Sequence, residues 1–173
     1  EIIEPPTPPP LIIPTKPRNF DVDALNQFLE KRKRKEIRFS KNDRRLIEIG
    51  SRRPVGRMLL VEQKTNKVDE MHALLPRDLA ADTPEEIDVI AEVERYTRTE
   101  GQYTNGDLAE RSMYAIYLVE PSTGGFITVV DINGPAPPKQ IYAATKSQLK
   151  APPPTFPKME EVAKRLAMIQ QKK

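Results

Sequence analysis

The sequence predicts an α+β fold: a small antiparallel sheet built from two β-hairpins, with a helix packed on it. Two pairs of apolar, β-rich segments are each separated by a short polar turn, which is the pattern of a hairpin. A helix start signal lies between the two pairs, so strands and helices do not alternate as they do in a parallel βαβ sheet. Fourteen of the eighteen prolines lie in two clusters outside this region, at residues 5–17 and 135–157, and these clusters can form neither element.

The proline clusters divide the chain into four parts. Residues 1–19 are predicted to be a proline-rich extended arm, residues 20–134 the α+β core, residues 135–157 a second proline-rich linker arm, and residues 158–173 an amphipathic helix. Within the core, residues 31–57 are a basic helical segment. No apolar run approaches the roughly 20 residues that span a bilayer. The chain also has no cysteine, which excludes disulfides and thiolate sites.

Two helices are predicted ahead of the sheet. Asp21 or Asp23 can cap the first helix, whose apolar residues recur with the 3–4 spacing of one buried face. Ser40 begins a second short helix, which Gly50 is suited to end because glycine adopts the left-handed conformation of a helix C-terminus.

The strands of both hairpins follow from their composition. Residues 58–62 and 68–74 flank a turn of polar residues and predict the first hairpin. Residues 113–119 and 126–130 flank a turn containing proline and two glycines, and they predict the second. Since both strands of the second hairpin are apolar on both faces, we expect them to lie at the centre of the sheet or between two layers.

A capping box separates the two hairpins. Thr83 is the N-cap, Pro84 takes the first helical position and Glu86 the third, so two free backbone donors are satisfied reciprocally. This signal predicts a helix over residues 84–96, packed on the sheet.

The last segment predicts a helix with one apolar face. Residues 155–157 open it, and its apolar residues recur at helical spacing from Met159 onwards. It either folds back onto the sheet or docks on another subunit, and the sequence leaves both possibilities open.

Charge is strongly segregated along the chain. Residues 31–57 carry twelve basic and three acidic residues, a net charge of +9, whereas residues 58–134 carry six basic and fifteen acidic residues, a net charge of −9. The basic segment is therefore predicted to lie against an acidic protein face, in this chain or in a neighbour. The alternatives are a polyanion such as nucleic acid, and a solvated face without a partner. The residues that would make this contact are Lys31, Arg32, Lys33, Arg34, Lys35, Arg44, Arg45, Arg52 and Arg53.

No segment has the residue pattern of an active site. Residues 101–106 begin like a phosphate-binding loop, but Asp107 stands where the lysine should follow. His72 is the only histidine and is interpreted as a strand residue without a special role. On the predicted helix, Glu92 and Glu94 are two residues apart and would not face each other. The sequence therefore predicts a protein that is not an enzyme and that needs no cofactor or metal.

The apolar residues within the first arm point to assembly. A simple spacer would be rich in glycine, serine or charge, whereas residues 11–13 are large and apolar. Such side chains on an extended proline scaffold are useful when they enter grooves on a neighbour. The residues expected to contact partner subunits are Leu11, Ile12, Ile13, Tyr142, Met159 and Leu166.

These observations predict a structural subunit of a large multi-subunit particle, with a virion or phage component favoured. The absence of cysteine fits a reducing compartment or a virus particle. The alternative function is a nucleic-acid-binding accessory subunit of a ribonucleoprotein or organellar complex, which would use residues 31–57 on phosphates without reading sequence.

Overall fold

The computed structural model describes residues 18–32, 34, 56–140 and 150–171. Several predicted features lie outside these residues, among them the second helix at residues 40–50, the apolar residues 11–13 of the first arm, and Tyr142. The described residues form an α+β fold with a five-stranded mixed sheet and two α-helices. None of the described helices is long and apolar enough to cross a membrane.

The sheet has the order β2-β1-β3-β4-β5, with β1 and β3 parallel and all other neighbours antiparallel. The prediction of a wholly antiparallel sheet is therefore wrong. The segment between β1 and β3 does not pair back as a long strand. It forms only the two-residue strand β2, on the side of β1 away from β3, and Ala80 later bridges Met58 before the chain enters β3. The elements in chain order are α1 (Val22–Lys31), β1 (Met58–Glu62), β2 (Lys67–Val68), β3 (Val89–Gln102), β4 (Leu108–Val119), β5 (Phe126–Asn133) and α2 (Met159–Gln171).

The predicted helix over residues 84–96 is wrong, although its start signal is present. The Glu86 carboxylate accepts the backbone N–H groups of Asp82 at 2.8 Å and Thr83 at 3.3 Å. The turn that it caps is a single 3₁₀ turn, Pro84–Glu86, and the chain then enters β3. The β-branched residues that follow suit a pleated strand, and pairing on both sides by β1 and β4 satisfies their backbone groups. Long-range pairing thus outweighs the local helix signal.

The predicted return strand over residues 68–74 is also wrong, because β2 ends after two residues. Asp69 then caps a 3₁₀ helix, Glu70–Leu74, by accepting the Met71 N–H at 2.9 Å. This short helix packs its buried residues against β1. Residues 113–119 and 126–130, in contrast, lie in the antiparallel pair of β4 and β5. The expectation that both strands are central is right for β4 and wrong for β5, which forms an edge of the sheet.

Each face of the sheet carries one helix. On one face, Leu25 and Leu29 of α1 are buried against Leu59, Val61 and Ile90. The Asp21 side chain caps α1 by accepting the Ala24 N–H at 2.9 Å, in agreement with the sequence.

The opposite face carries α2 and the 3₁₀ helix Glu70–Leu74. Val162, Ala163 and Leu166 of α2 are fully buried in a cluster with residues of β1, β3 and β4. Of the two alternatives that the sequence left open for the C-terminal helix, the structure shows folding back onto the sheet.

Candidate functional site

The second residue of the basic segment, Arg32, has a side chain that is buried in its own fold. Arg32 directly follows α1, and its Nη2 lies 2.7 Å from Oε1 of Glu92 on β3, with both side chains at most 5% exposed. The Asn66 Oδ1 accepts two further bonds from Arg32, at 3.1 Å from Nε and 2.6 Å from Nη2. Asn66 also donates to the Leu29 carbonyl at 3.0 Å. The network therefore ties the end of α1 to the β1–β2 turn and to the middle of the sheet.

A second arginine of the segment faces the same sheet. The Nη2 of Arg34 donates to the Gln63 carbonyl at 2.7 Å and lies 4.0 Å from Oε2 of Glu92. The Arg34 side chain nevertheless remains 40% exposed, and Lys31 is also exposed to solvent. Two of the nine predicted polyanion contacts are thus directed at the acidic part of the same chain. The residues of this set that lie outside the described part of the chain are Lys33, Lys35, Arg44, Arg45, Arg52 and Arg53.

The acidic residues of β3 do not form a catalytic pair. Because residues two apart on a strand point to the same face, Glu92 and Glu94 share a face, contrary to the interpretation that placed them on a helix. Each has its own partner: Glu92 pairs with Arg32, and Glu94 accepts a hydrogen bond from the Tyr117 hydroxyl at 2.6 Å. Their geometry is that of two separate structural contacts.

A cluster of acidic side chains around one arginine, Arg95, lies on the opposite face of β3. The Nη1 of Arg95 is 2.9 Å from Oδ2 of Asp69, whose side chain is only 1% exposed. Glu70 lies 3.6 Å away, and the guanidinium carbon sits 5.4 Å from the centre of the Tyr114 ring. A pocket of about 370 Å³ opens beside this cluster, with Glu62 also in its wall.

The electrostatics of this pocket favour the ion pair that it already contains. Burial works to lower the pKa of Arg95, but the hydrogen bond to Asp69 and the charge of Asp69 raise it above the ordinary value. Three carboxylates line the pocket beside one guanidinium, so an external anion would have to displace a buried carboxylate. We conclude that the cluster holds β3 to the 3₁₀ helix Glu70–Leu74. No sequence pattern indicates this pair, since both partners lie in the acidic part of the chain.

His72 is a buried structural group rather than a strand residue. Its Nε2 donates to the Ala81 carbonyl at 2.9 Å, and its Nδ1 accepts the Leu60 N–H at 3.3 Å. Phe20 packs edge-on against the ring, with centroids 4.8 Å apart. Burial is the largest influence on the pKa of His72 and lowers it from 6.5 to about 4. The ring is therefore neutral at pH 7, and it connects β1 to the loop that leads to β3.

The second proline-rich segment is fastened to the sheet at several points. The Arg111 Nε donates to the Gly134 carbonyl at 2.8 Å, and the Tyr103 hydroxyl donates to the Pro138 carbonyl at 2.9 Å. Further along, the Ala151 N–H donates to Asp107 at 2.7 Å. The described parts of this segment thus lie against the far end of the β3–β4 hairpin of their own chain.

The two described runs of this segment lie side by side. A groove of about 170 Å³ is lined by residues 135–138, residues 152–155 and Glu110. At Gly134 a Cβ would overlap the carbonyl oxygens of Ser112 and Thr155, so only glycine allows this approach of the two runs. Pro135, Pro138, Pro152 and Pro153 are nevertheless exposed to solvent.

The predicted partner contacts of α2 lie inside the chain's own fold. Leu166 is fully buried in the cluster beneath the sheet, and Met159 packs on the same cluster. Both side chains therefore stabilise the domain itself. Leu11, Ile12, Ile13 and Tyr142 lie outside the described residues.

Comparison with protein-family models, with curated proteins and with solved structures finds no match for this chain. Among the described residues, no group of three histidine, aspartate or glutamate side chains has the geometry of a metal site. Inferences about function therefore rest on the residues themselves.

Proposed function

We propose that this protein is a non-enzymatic assembly subunit of a large particle, of which a virion is the example that the sequence favours. Its contacts with neighbouring protein chains would be made by the proline-rich segments. The observation that supports this most directly is the exposure of four prolines on a segment whose backbone is fastened to the sheet. Pro135, Pro138, Pro152 and Pro153 form a fixed apolar surface rather than a loose spacer.

The physical advantage of this surface is its low conformational entropy. Proline has a fixed φ, and the hydrogen bonds from Arg111, Tyr103 and Ala151 restrain the run still further. A partner that binds here has little chain to order, so less of the interaction free energy is lost on association. Proline-rich surfaces of this kind fit grooves lined by aromatic side chains.

The titratable groups inside the fold support a role without catalysis. His72 uses both ring nitrogens in hydrogen bonds to backbone groups. Arg95 is neutralised by Asp69, and Glu92 by Arg32. A general acid or base must reach a substrate proton in a pocket, and these three pairs of contacts serve the packing of strands and turns instead.

The contacts of the basic segment favour a protein partner over nucleic acid. Arg32 is enclosed against Glu92 and cannot contact phosphate without leaving that carboxylate unpaired, whereas Arg34 donates to the Gln63 carbonyl and remains exposed to solvent. A salt titration separates the two functions. Affinity of the purified chain for generic DNA or RNA that falls linearly with the logarithm of salt concentration would support the nucleic-acid function instead.

Site-specific photo-crosslinking in the source cell tests the assembly proposal. A photoreactive residue is placed at Pro138 or Pro153, and the matched control is Glu85, which is exposed on the 3₁₀ turn before β3. We expect the full chain to migrate with a particle much larger than itself, and crosslinks to other proteins to form from the two proline positions. Equal crosslinking from Glu85, or a chain that migrates alone, would contradict the proposal.

A further inference from the structure

The two edges of the sheet are built differently. At one edge, β2 has only two residues, and the Val68 N–H donates to the Asn26 side chain of α1 at 2.9 Å. At the other edge, β5 has eight residues, and in the described part of the chain β4 is its only sheet neighbour. Proteins block open edges with very short strands, covering elements, lysine or proline. The β2 edge is blocked in this way, whereas β5 contains neither lysine nor proline.

The composition of β5 is that of a strand that pairs readily. Six of its eight residues are β-branched or aromatic, and Asp131 is its single charged residue. An edge strand of this kind presents a row of backbone donors and acceptors that another strand can pair with.

The hydrogen bonds to β4 define which groups of β5 point outward. The Gly134 N–H donates to the Ser112 carbonyl at 2.8 Å, and the register from there to Val130 is regular. Because successive residues of a strand alternate, Ile132 and Val130 also bond β4, whereas Asp131 and Val129 direct their N–H and C=O groups away from the sheet. In an antiparallel pair, these outward residues must lie opposite outward residues of the partner strand.

We propose that β5 pairs antiparallel with β5 of a second copy of this chain, about a two-fold axis at Val130. A register shift between Leu118 and Val119 disturbs the start of β5, whereas the register with β4 is regular from Thr128 to Asn133. Val130 lies within this regular stretch and has an outward residue, Val129 or Asp131, on either side. In this register Val129 of each copy lies opposite Asp131 of the other, and about four backbone hydrogen bonds form.

Charge and side-chain size agree with this register. The two Val130 residues lie opposite each other, and Thr128 lies opposite Ile132, so apolar surface meets mostly apolar surface. Sliding the strands so that the axis falls at Asp131 would place two carboxylates face to face, which is unfavourable. Self-pairing needs no other component of a particle, so the purified chain tests it, and its failure would leave the proposed function standing.

A pair of cysteine variants tests the register, since the natural chain has no cysteine. Across the axis, the Val130 Cα atoms lie about 4.5 Å apart, which is within reach of a disulfide. The matched control is Thr128→Cys on the same face, because the two Thr128 residues lie about 14 Å apart along the strands. We expect Val130→Cys to form a disulfide-linked dimer at least roughly tenfold faster than Thr128→Cys. Equal rates for the two variants would overturn the register.

Sedimentation of the full chain tests the pairing itself. Val129→Pro removes an outward N–H without touching the bonds to β4, and proline is tolerated at an edge strand when its missing N–H faces away from the sheet. We expect the wild-type chain to dimerise and Val129→Pro to raise the dissociation constant roughly 30-fold, since each dimer loses two hydrogen bonds. A wild-type chain that stays monomeric at high micromolar concentration, with no disulfide dimer from Val130→Cys, would overturn the proposal. If Val129→Pro fails to fold, the cysteine pair alone decides.

Discussion

Two arginine–carboxylate contacts hold opposite faces of β3, and they differ in how far solvent reaches them. Arg32 and Glu92 are almost completely enclosed, with side chains 2% and 5% exposed. Arg95 pairs with an equally buried Asp69, but its own side chain is 25% exposed and borders an open pocket. Both are arginine–carboxylate pairs, but they differ in solvent exposure and in the groups around the guanidinium: Asn66 bonds Arg32, whereas Glu62 and Glu70 lie near Arg95.

The enclosed pair is held in place by more than its charges. Asn66 accepts from Arg32 and donates to the last turn of α1, so the guanidinium is fixed by a neutral group as well. An enclosed pair of this kind contributes little net free energy relative to a well-packed apolar pair, but it is costly to break because one charge is left behind. An open pair can exchange a lost partner for water. The comparison therefore predicts a large effect on one face of β3 and a smaller one on the other.

Removal of one member of the enclosed pair should have the largest effect. Arg32→Met leaves the Glu92 carboxylate buried without its main partner, and we expect the free energy of unfolding to fall by about 3–5 kcal/mol. Urea denaturation of the full chain measures it. The matched control is the double variant Arg32→Met/Glu92→Leu, which removes both charges and should recover most of the loss. A double variant as unstable as the sum of the two single variants would contradict the coupling.

His72 gives the next effect and extends the comparison to a buried group that stays neutral. Its pKa is about 4 in the folded protein and 6.5 when unperturbed. Between these values the unfolded chain binds a proton that the folded protein does not, so the free energy of unfolding falls as pH drops from 6.5 to 4. The whole interval corresponds to about 3 kcal/mol. Denaturation across this range should show a weaker pH dependence in His72→Asn, and an unchanged pH dependence would exclude His72 as its cause.

The open pair should give a smaller loss. Asp69→Asn keeps an oxygen for the Met71 N–H but removes the charge, and Arg95 can turn to Glu62, Glu70 or water. We expect the free energy of unfolding to fall by about 1–2 kcal/mol. Asp69→Ala also removes the cap and should lose about 1 kcal/mol more. Equal losses in Asp69→Asn and Arg32→Met would show that exposure does not distinguish the two pairs.

The sequence predicted one of these pairs in outline and could not predict the other. Charge totals indicated that the basic segment would meet an acidic face, and Arg32 and Arg34 meet one in their own chain. Arg95 and Asp69 lie in the same acidic segment, so the net charges of the segments do not indicate that these two residues pair. The sequence also predicts the wrong elements for both residues, a helix for Arg95 and a strand for Asp69.

The errors in the fold have a common physical cause. Local signals were correct where local contacts decide the structure, as at the Asp21 cap of α1. They failed where pairing between distant segments decides. The parallel contact of β1 with β3 makes residues 89–102 a strand, although the sequence before them begins a helix. The second proline-rich segment is held to the sheet by Arg111 and Tyr103, which precede it by many residues. No local sequence pattern around these two residues predicts the contacts.

The smallest effect is expected where solvent reaches all partners. The Glu100 carboxylate lies 2.8 Å from Arg98 and 3.2 Å from Arg111, and the hydrogen bond from Arg98 is the main influence that lowers its pKa. These distances match those of the enclosed pair, but the Arg98, Glu100 and Arg111 side chains are 52%, 24% and 22% exposed, so water and salt reach every partner and screen the charges. We expect Glu100→Gln to leave the thermal midpoint within experimental error at physiological salt. If Glu100→Gln destabilised the chain as much as Arg32→Met, distance rather than enclosure would determine the strength of these contacts, and the contrast between the two faces of β3 would fail.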